Sequence, residues 1–214
     1  MPVGSEAPEI LLLRVSEHAA RAALEAGCLS EEERERVAVF RRREDRDRYR
    51  VAHTALRHEL ARRLGTVPAG VPLVRGDCPL CGGPHGRPGV AGDPLHFSLS
   101  HAGDVVLLAF AGAPVGVDAE REPGLSVVAE VSGSLHPRER DELAALPGER
   151  RPGAFARCWT RKEAYVKGTG TEFGAEPSVT YVGTGGLPAS APGWRIGDIA
   201  APGGYAAAWA LRLD

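Results

Sequence analysis

Cys158-Trp159-Thr160-Arg161-Lys162-Glu163-Ala164-Tyr165-Val166-Lys167-Gly168 holds the only two lysines of a chain that otherwise uses arginine for its basic side chains. An ammonium is a compact charge that can shift its pKa and donate a proton, whereas a guanidinium is a planar fork that stays charged. Two lysines retained against that background point to chemistry. The stretch predicts a helix: Pro152 stands near its start, helix formers follow, and Gly168 and Gly170 are placed to end it. Trp159, Glu163 and Lys167 then lie on one ridge. A plain amphipathic helix with a Glu–Lys pair contributes about 0.2–0.5 kcal/mol and explains the same spacing, so the helix alone leaves catalysis and scaffold both open.

Upstream, Val115-Gly116-Val117-Asp118-Ala119-Glu120 alternates as a strand, with the valines on one face and the two carboxylates on the other. Paired carboxylates can hold a hard ion such as magnesium, which takes oxygen ligands and is shared with substrate phosphates. A lone Asp-x-Glu is equally the polar face of an edge strand. Leu95 to His101 and Val105 to Phe110 read as a hairpin around Ala102-Gly103-Asp104, with Ser100-His101 at its end. Seven arginines between residues 41 and 57 offer forks that match phosphate oxygens, or a solvated helix face with acidic residues interleaved.

The remaining elements extend this pattern. Glu9 to Val15 suits a buried strand, and Ser16 is placed to cap a helix ending at Gly27. Ser30 with Glu33 forms a capping box, from which helical spacing continues to Gly65. Thr66 to Pro94 is rich in Gly and Pro and reads as loop. Within it Cys78-Pro79-Leu80-Cys81 and His85 resemble half a zinc site, three ligands where a structural site takes four. Beyond Pro114 come a strand, helices at Pro137–Leu146 and Pro152–Lys167, and strands at Ser178–Val182, Trp194–Ile199 and Tyr205–Leu213. This order predicts an α+β protein of two similar halves, 1–113 and 114–214, meeting at Ala113-Pro114.

The 214 residues can bury a real core, with 43% hydrophobic and 25% charged side chains. A formal charge of -2 argues against a protein devoted to nucleic acid. No apolar run approaches a membrane span, no cleavable signal is visible, and four cysteines do not make a disulfide scaffold. A cytoplasmic location is expected.

Four motifs in order carry a resemblance: Gly86-Arg87-Pro88, Phe97-Ser98-Leu99-Ser100-His101, Gly116-Val117-Asp118-Ala119-Glu120, and Trp159 to Gly168. Together they resemble the 4'-phosphopantetheinyl transferases. Chain length resembles the monomeric Sfp type, in which two α+β halves form a pseudo-two-fold molecule with its active site between them. The resemblance implies transfer of phosphopantetheine from coenzyme A to a serine of an acyl or peptidyl carrier protein, releasing 3',5'-ADP, in polyketide, non-ribosomal peptide or fatty acid pathways. It further implies that Asp118, Glu120 and Glu163 bind magnesium, that Glu163 takes the serine proton, and that Lys167 steadies the leaving phosphate. Ser100 and His101 would contact coenzyme A phosphates, Arg48 and Arg87 its nucleotide end, and Lys162 a phosphate or solvent. Glu33 and Arg36 stand where the family often has lysines, and Ala119 where it usually has a larger aliphatic residue. A metal-dependent phosphohydrolase acting on a nucleotide pyrophosphate could use the same carboxylates, and a nucleotide- or RNA-binding module could use the arginine-rich helix.

Overall fold

The computed structural model describes residues 7–79, 81–84, 86–171 and 176–213. The first half runs β1 (Glu9–Arg14), α1 (Val15–Leu24), α2 (Glu31–Val39), α3 (Arg43–Leu64), a short ribbon of β2 (Leu73–Arg75) and β3 (Pro88–Val90), then β4 (His96–Ala102) and β5 (Val105–Ala111). The second half runs β6 (Val115–Arg121), α4 (Leu125–Val131), α5 (Pro137–Ala144), α6 (Arg151–Thr169), α7 (Glu176–Val179), β7 (Trp194–Asp198) and β8 (Tyr205–Arg212). The two three-stranded sheets are ordered β1-β5-β4 and β6-β8-β7, all antiparallel. In each, the first strand of the half pairs with its last, and the last with the one before it. The duplication suggested by element order is therefore a duplication of topology.

Sequence periodicity explains where the cores sit. On β5, Leu108 and Phe110 join Leu56 and Leu60 of α3, while Val105, Leu107 and Ala109 point the other way. That second face meets Val115, Val117 and Ala119 of β6 with Ala207 and Leu211 of β8. Both faces of β5 are thus covered, which is why it reads as an unbroken apolar run. Behind β6 and β8, Phe155, Cys158 and Ala164 of α6 pack with Ile196, Ala208 and Ala210. The layers are helix, sheet, sheet, helix, with an apolar seam joining the halves.

Several local expectations change. Ser16 does not cap α1, whose N-cap is Arg14; its amide and hydroxyl instead bond Asp104 at 2.7 and 2.9 Å, tying the helix to the β4–β5 turn. The Ser30–Glu33 capping box is present, with bonds of 3.2 and 2.8 Å. Extended backbone at Phe40 splits the helical region into α2 and α3, and Gly65 ends α3 in the left-handed conformation at φ 66°. The loop after Thr66 contains the β2–β3 ribbon. Ser178–Val182 is not a strand: α7 ends at Val179, and the amides of Val182, Gly183 and Thr184 bond the carboxylates of Glu139 and Glu142 rather than a neighbouring strand. Of the half zinc site, His85 lies outside the described residues. No described helix is long and apolar enough to cross a membrane.

Candidate active site

Gly116 decides how the site is assembled. A Cβ there would overlap the carbonyl oxygen of Ala164 and come within 2.5 Å of the Gly168 nitrogen. Lacking one, β6 lies directly against α6, and Gly168 in turn makes room for the Trp194 ring. The close crossing sets the Asp118 face of β6 against the Glu163–Lys167 ridge. Gly168 is consequently inside the helix, and Gly170 ends it at φ 76°.

Asp118 is the hub, only 2% exposed. Its Oδ1 accepts from Lys167 Nζ at 2.6 Å and from Ser100 Oγ at 2.8 Å. Lys167 also donates to Ser100 Oγ at 3.0 Å, and the Ala119 amide reaches the same hydroxyl at 3.4 Å. Two residues before Ser100 on the same strand, Ser98 Oγ accepts from the Val117 amide at 3.0 Å. The serines of β4 therefore stitch the first half to β6, and the site belongs to both halves at once.

The carboxylates are short of compensation. Asp118 Oδ2 is buried with no hydrogen-bond partner, a cost that native structures rarely leave without a purpose. Burial, followed by the Asp118 charge, pushes Glu163 up to about 7, with Lys167 opposing and Glu120 adding to the rise. Glu120 is raised for the same first two reasons. Among the described residues no three His, Cys, Asp or Glu side chains converge as a ready-made ligand group, because Asp118 is turned to Lys167. Yet an orphaned buried oxygen beside two further carboxylates is a hard, all-oxygen donor set, and its chemistry fits a divalent cation such as magnesium.

A cationic rim adjoins this acidic centre. His101 is held below the ordinary imidazole range by desolvation first, then by Arg48, His53 and Lys167. Arg48 is fixed by Asp45 and by the Gly103 carbonyl at 3.4 Å. Arg87 comes from the ribbon to the end of α6, donating to the Gly168 carbonyl at 3.3 Å and contacting His96 at 3.0 Å. The charges of Arg48 and Lys167 that keep His101 neutral, with Arg87 at the end of α6, favour an anion.

Lys162 is not part of this site, which corrects the expectation that it meets phosphate or solvent. It is 2% exposed and paired at 2.7 Å with Glu139, itself fully buried, and it also donates to the Thr180 carbonyl. Its neighbour Arg161 is buried too, gripping Asp198 at 2.7 and 2.6 Å and the carbonyls of Gly183 and Gly185. Both side chains point away from the Glu163–Lys167 ridge and pin the 180–185 segment. Sequence reading missed Glu139, for which the only signal was an acidic residue at the start of a helix after Pro137. It read Glu33 as a capping residue and missed His53 and Arg57, which each bond Glu33 between α2 and α3. These three line a cleft of about 980 Å³ with Arg36, Tyr49 and Arg75, apart from Asp118, Glu163 and Lys167.

Comparison with known proteins gives the same direction. A family model described as the 4'-phosphopantetheinyl transferase superfamily matches residues 114–187. The 4'-phosphopantetheinyl transferase HetI of Nostoc sp. is 31% identical over 176 residues, 80% of this chain and 73% of that protein. A 4'-phosphopantetheinyl transferase of Bacillus subtilis is 28% identical over 144 residues, and the phosphopantetheinyl transferase of Thraustochytrium sp. is 36% identical over 172. These alignments cover 66% and 73% of this chain, but only 60% and 57% of the two relatives' own lengths.

Proposed function

The chain belongs to the 4'-phosphopantetheinyl transferase superfamily, and from that premise we propose that it moves the 4'-phosphopantetheine arm of coenzyme A onto a serine of an apo acyl or peptidyl carrier protein. The observation that carries this reading is the meeting of Ser100, Asp118 and Lys167 between the halves, with Asp118 Oδ2 unpartnered and a cationic rim alongside. A site that binds a pyrophosphate needs both signs of charge, one for a bridging cation and one for the phosphates themselves.

In this mechanism the carrier serine oxygen attacks the pantetheine-side phosphorus of the coenzyme A pyrophosphate, the phosphoanhydride bond breaks, and 3',5'-ADP leaves. Asp118, Glu120 and Glu163 would hold magnesium, which supplies charge neutralisation for the pyrophosphate when bound. Glu163, half-buried beside Asp118, accepts the serine proton. Lys167 is one-third exposed at its side chain, so it can turn from Asp118 to the leaving phosphate and hold or protonate it. Ser100 and His101 contact phosphate oxygens, while Arg48 and Arg87 steer the nucleotide end. Both halves of one chain contribute to the site, so a monomer is sufficient.

The test is the intact mass of apo carrier proteins after incubation with coenzyme A, magnesium and this protein, beside Glu163→Gln and Lys167→Arg. A phosphopantetheine mass gain that requires metal and falls at least about 100-fold in rate in Glu163→Gln is expected, since positioned proton transfer contributes about 10²–10⁴-fold. Release of 3',5'-ADP from coenzyme A with no carrier modified would instead make the protein a phosphohydrolase.

A further inference from the structure

β4 carries more of the site than its two serines. Alternation along the strand puts His96 on the same face as Ser98 and Ser100, the face that bonds β6, while Phe97 and Leu99 turn to the core under α3. His96 begins the strand opposite Ala111 of β5, and its side chain is 16% exposed. The transfer reaction as described gives it no role. Its ring meets Arg87, with Arg87 Nη2 3.0 Å from His96 Nδ1.

The direction of that hydrogen bond follows from the two groups. A guanidinium has N–H donors and no acceptor, and it does not lose its proton in proteins. His96 Nδ1 must therefore accept, so the imidazole is neutral and carries its proton on Nε2. Burial holds its pKa below the ordinary imidazole range, with Asp93 opposing and Arg87 adding to the fall. Nη1 of the same fork donates to the Gly168 carbonyl at 3.3 Å, and the Arg87 stem runs 3.8 Å from where a Gly170 Cβ would stand. Arg87 is thus held by one acceptor on β4 and one on α6, and its remaining N–H groups are left for a ligand next to Lys167.

We propose that His96 is the positioning residue for Arg87: as the neutral imidazole protonated on Nε2, it holds the guanidinium at the end of α6, aimed at the anionic nucleotide end of coenzyme A. The inference rests on the coenzyme A reading of the site and adds a residue to it. Asp93 makes the arrangement sensitive to protons. Its Oδ1 lies 3.5 Å from the same Nδ1, so a second proton on His96 turns that nitrogen from an acceptor for Arg87 into a donor with a carboxylate to face. Two cations then stand across the former hydrogen bond, and Arg87 is released. Among the described residues Arg87 and Asp93 are the charged groups acting on the ring, and Ala111 across the ladder is uncharged. The fork is held while His96 is neutral and freed as pH falls through its lowered pKa.

The tautomer is read without any variant, from the nitrogen-15 shifts of the His96 ring in the full-length protein at about pH 8, the upper end of the histidine window. A proton on Nε2 alone is expected; a proton on Nδ1 would overturn the proposal. Binding is read by calorimetry with 3',5'-ADP. His96→Asn has a side-chain oxygen that accepts from Arg87 and does not titrate, and His96→Phe fills the space and accepts nothing. At that pH His96→Asn is expected to bind within about twofold of the unsubstituted protein and His96→Phe about tenfold more weakly, the scale of one charge-assisted hydrogen bond. Added to Arg87→Ala, His96→Phe should cost nothing further. Lowering the pH from about 8 to 5 should weaken binding by the unsubstituted protein more than by His96→Asn. Unchanged affinity in His96→Phe, an equal loss in the Arg87→Ala background, or parallel pH profiles for the unsubstituted protein and His96→Asn would each overturn the proposal. Failure of 3',5'-ADP to bind the unsubstituted protein would instead sink the coenzyme A reading, while the tautomer still decides whether His96 holds Arg87.

Discussion

The two lysines of α6 divide into a fully buried one and a partly open one, and the difference lies in what surrounds them. Lys162 faces Glu139 in a place closed to water, and Lys167 faces Asp118 at the open seam. Removing one member of a buried pair strands the other charge, at a cost of ~3–5 kcal/mol. Lys162→Ala should therefore lower the denaturant midpoint strongly, and Lys167→Ala, whose own side chain is one-third exposed although Asp118 is buried, should lower it less while abolishing transfer; equal stability losses would show the assignment to be wrong. Glu33 offers a pH test. Burial raises its pKa, but hydrogen bonds from His53, Arg57 and the Ser30 amide overcome that and hold it at about 2 instead of 4.5. A depressed carboxyl pKa stabilises the fold above the unfolded value, so its contribution, on the order of 3 kcal/mol, is complete above pH 4.5 and disappears as pH falls toward 2. Unfolding curves of Glu33→Gln should be flatter over that window than those of the unsubstituted protein. Asp118, Glu163 and Lys167 were legible as residues because their spacing on a strand and a helix fixes which side chains share a face. Lys162 was not, since its fate depends on Glu139 and on a carbonyl at Thr180, both remote in sequence.

At the level of elements, the crossing of β6 and α6 sets the site. Gly116→Ala adds a methyl group where the Ala164 carbonyl already lies, and overpacking of this kind costs about 1–3 kcal/mol. The helix must retreat, carrying Lys167 from Asp118. The variant is expected to lose transfer activity out of proportion to its loss of stability, and retention of full activity in a destabilised Gly116→Ala protein would separate the crossing from the chemistry. Helices and strands were readable where local signals are strong, as at the Ser30 capping box and the Gly65 and Gly170 ends. Ser178–Val182 has strand-like composition, yet the carboxylates of buried Glu139 and half-buried Glu142 on α5 satisfy the backbone that a sheet would otherwise pair. Propensity cannot see such a partner.

Across the whole molecule, the halves share one apolar seam and one site. Val105, Leu107 and Ala109 from the first half are covered by Val117, Ala119 and Leu211 from the second. Neither half can open without exposing that surface, so thermal unfolding should be a single calorimetric transition with matching calorimetric and van't Hoff enthalpies. Two resolved transitions would mean that the seam contributes little. The serines of β4 make the same link in polar form, bonding the β6 amides of Val117 and Ala119. Arg87 and Ser100 likewise reach α6 and β6 from the first half, so the proposed site and the cohesion of the halves share one set of contacts.

The sequence by itself determined the alternating strands, the capped helices, the doubled element order and the identities of the acidic and basic groups at the seam, because each follows from local spacing and side-chain chemistry. Only the tertiary structure decided which lysine is buried, which oxygen of Asp118 is left without a donor, and how closely α6 lies on β6. Those outcomes depend on burial and on partners distant along the chain, and both come into being only when the two sheets pack.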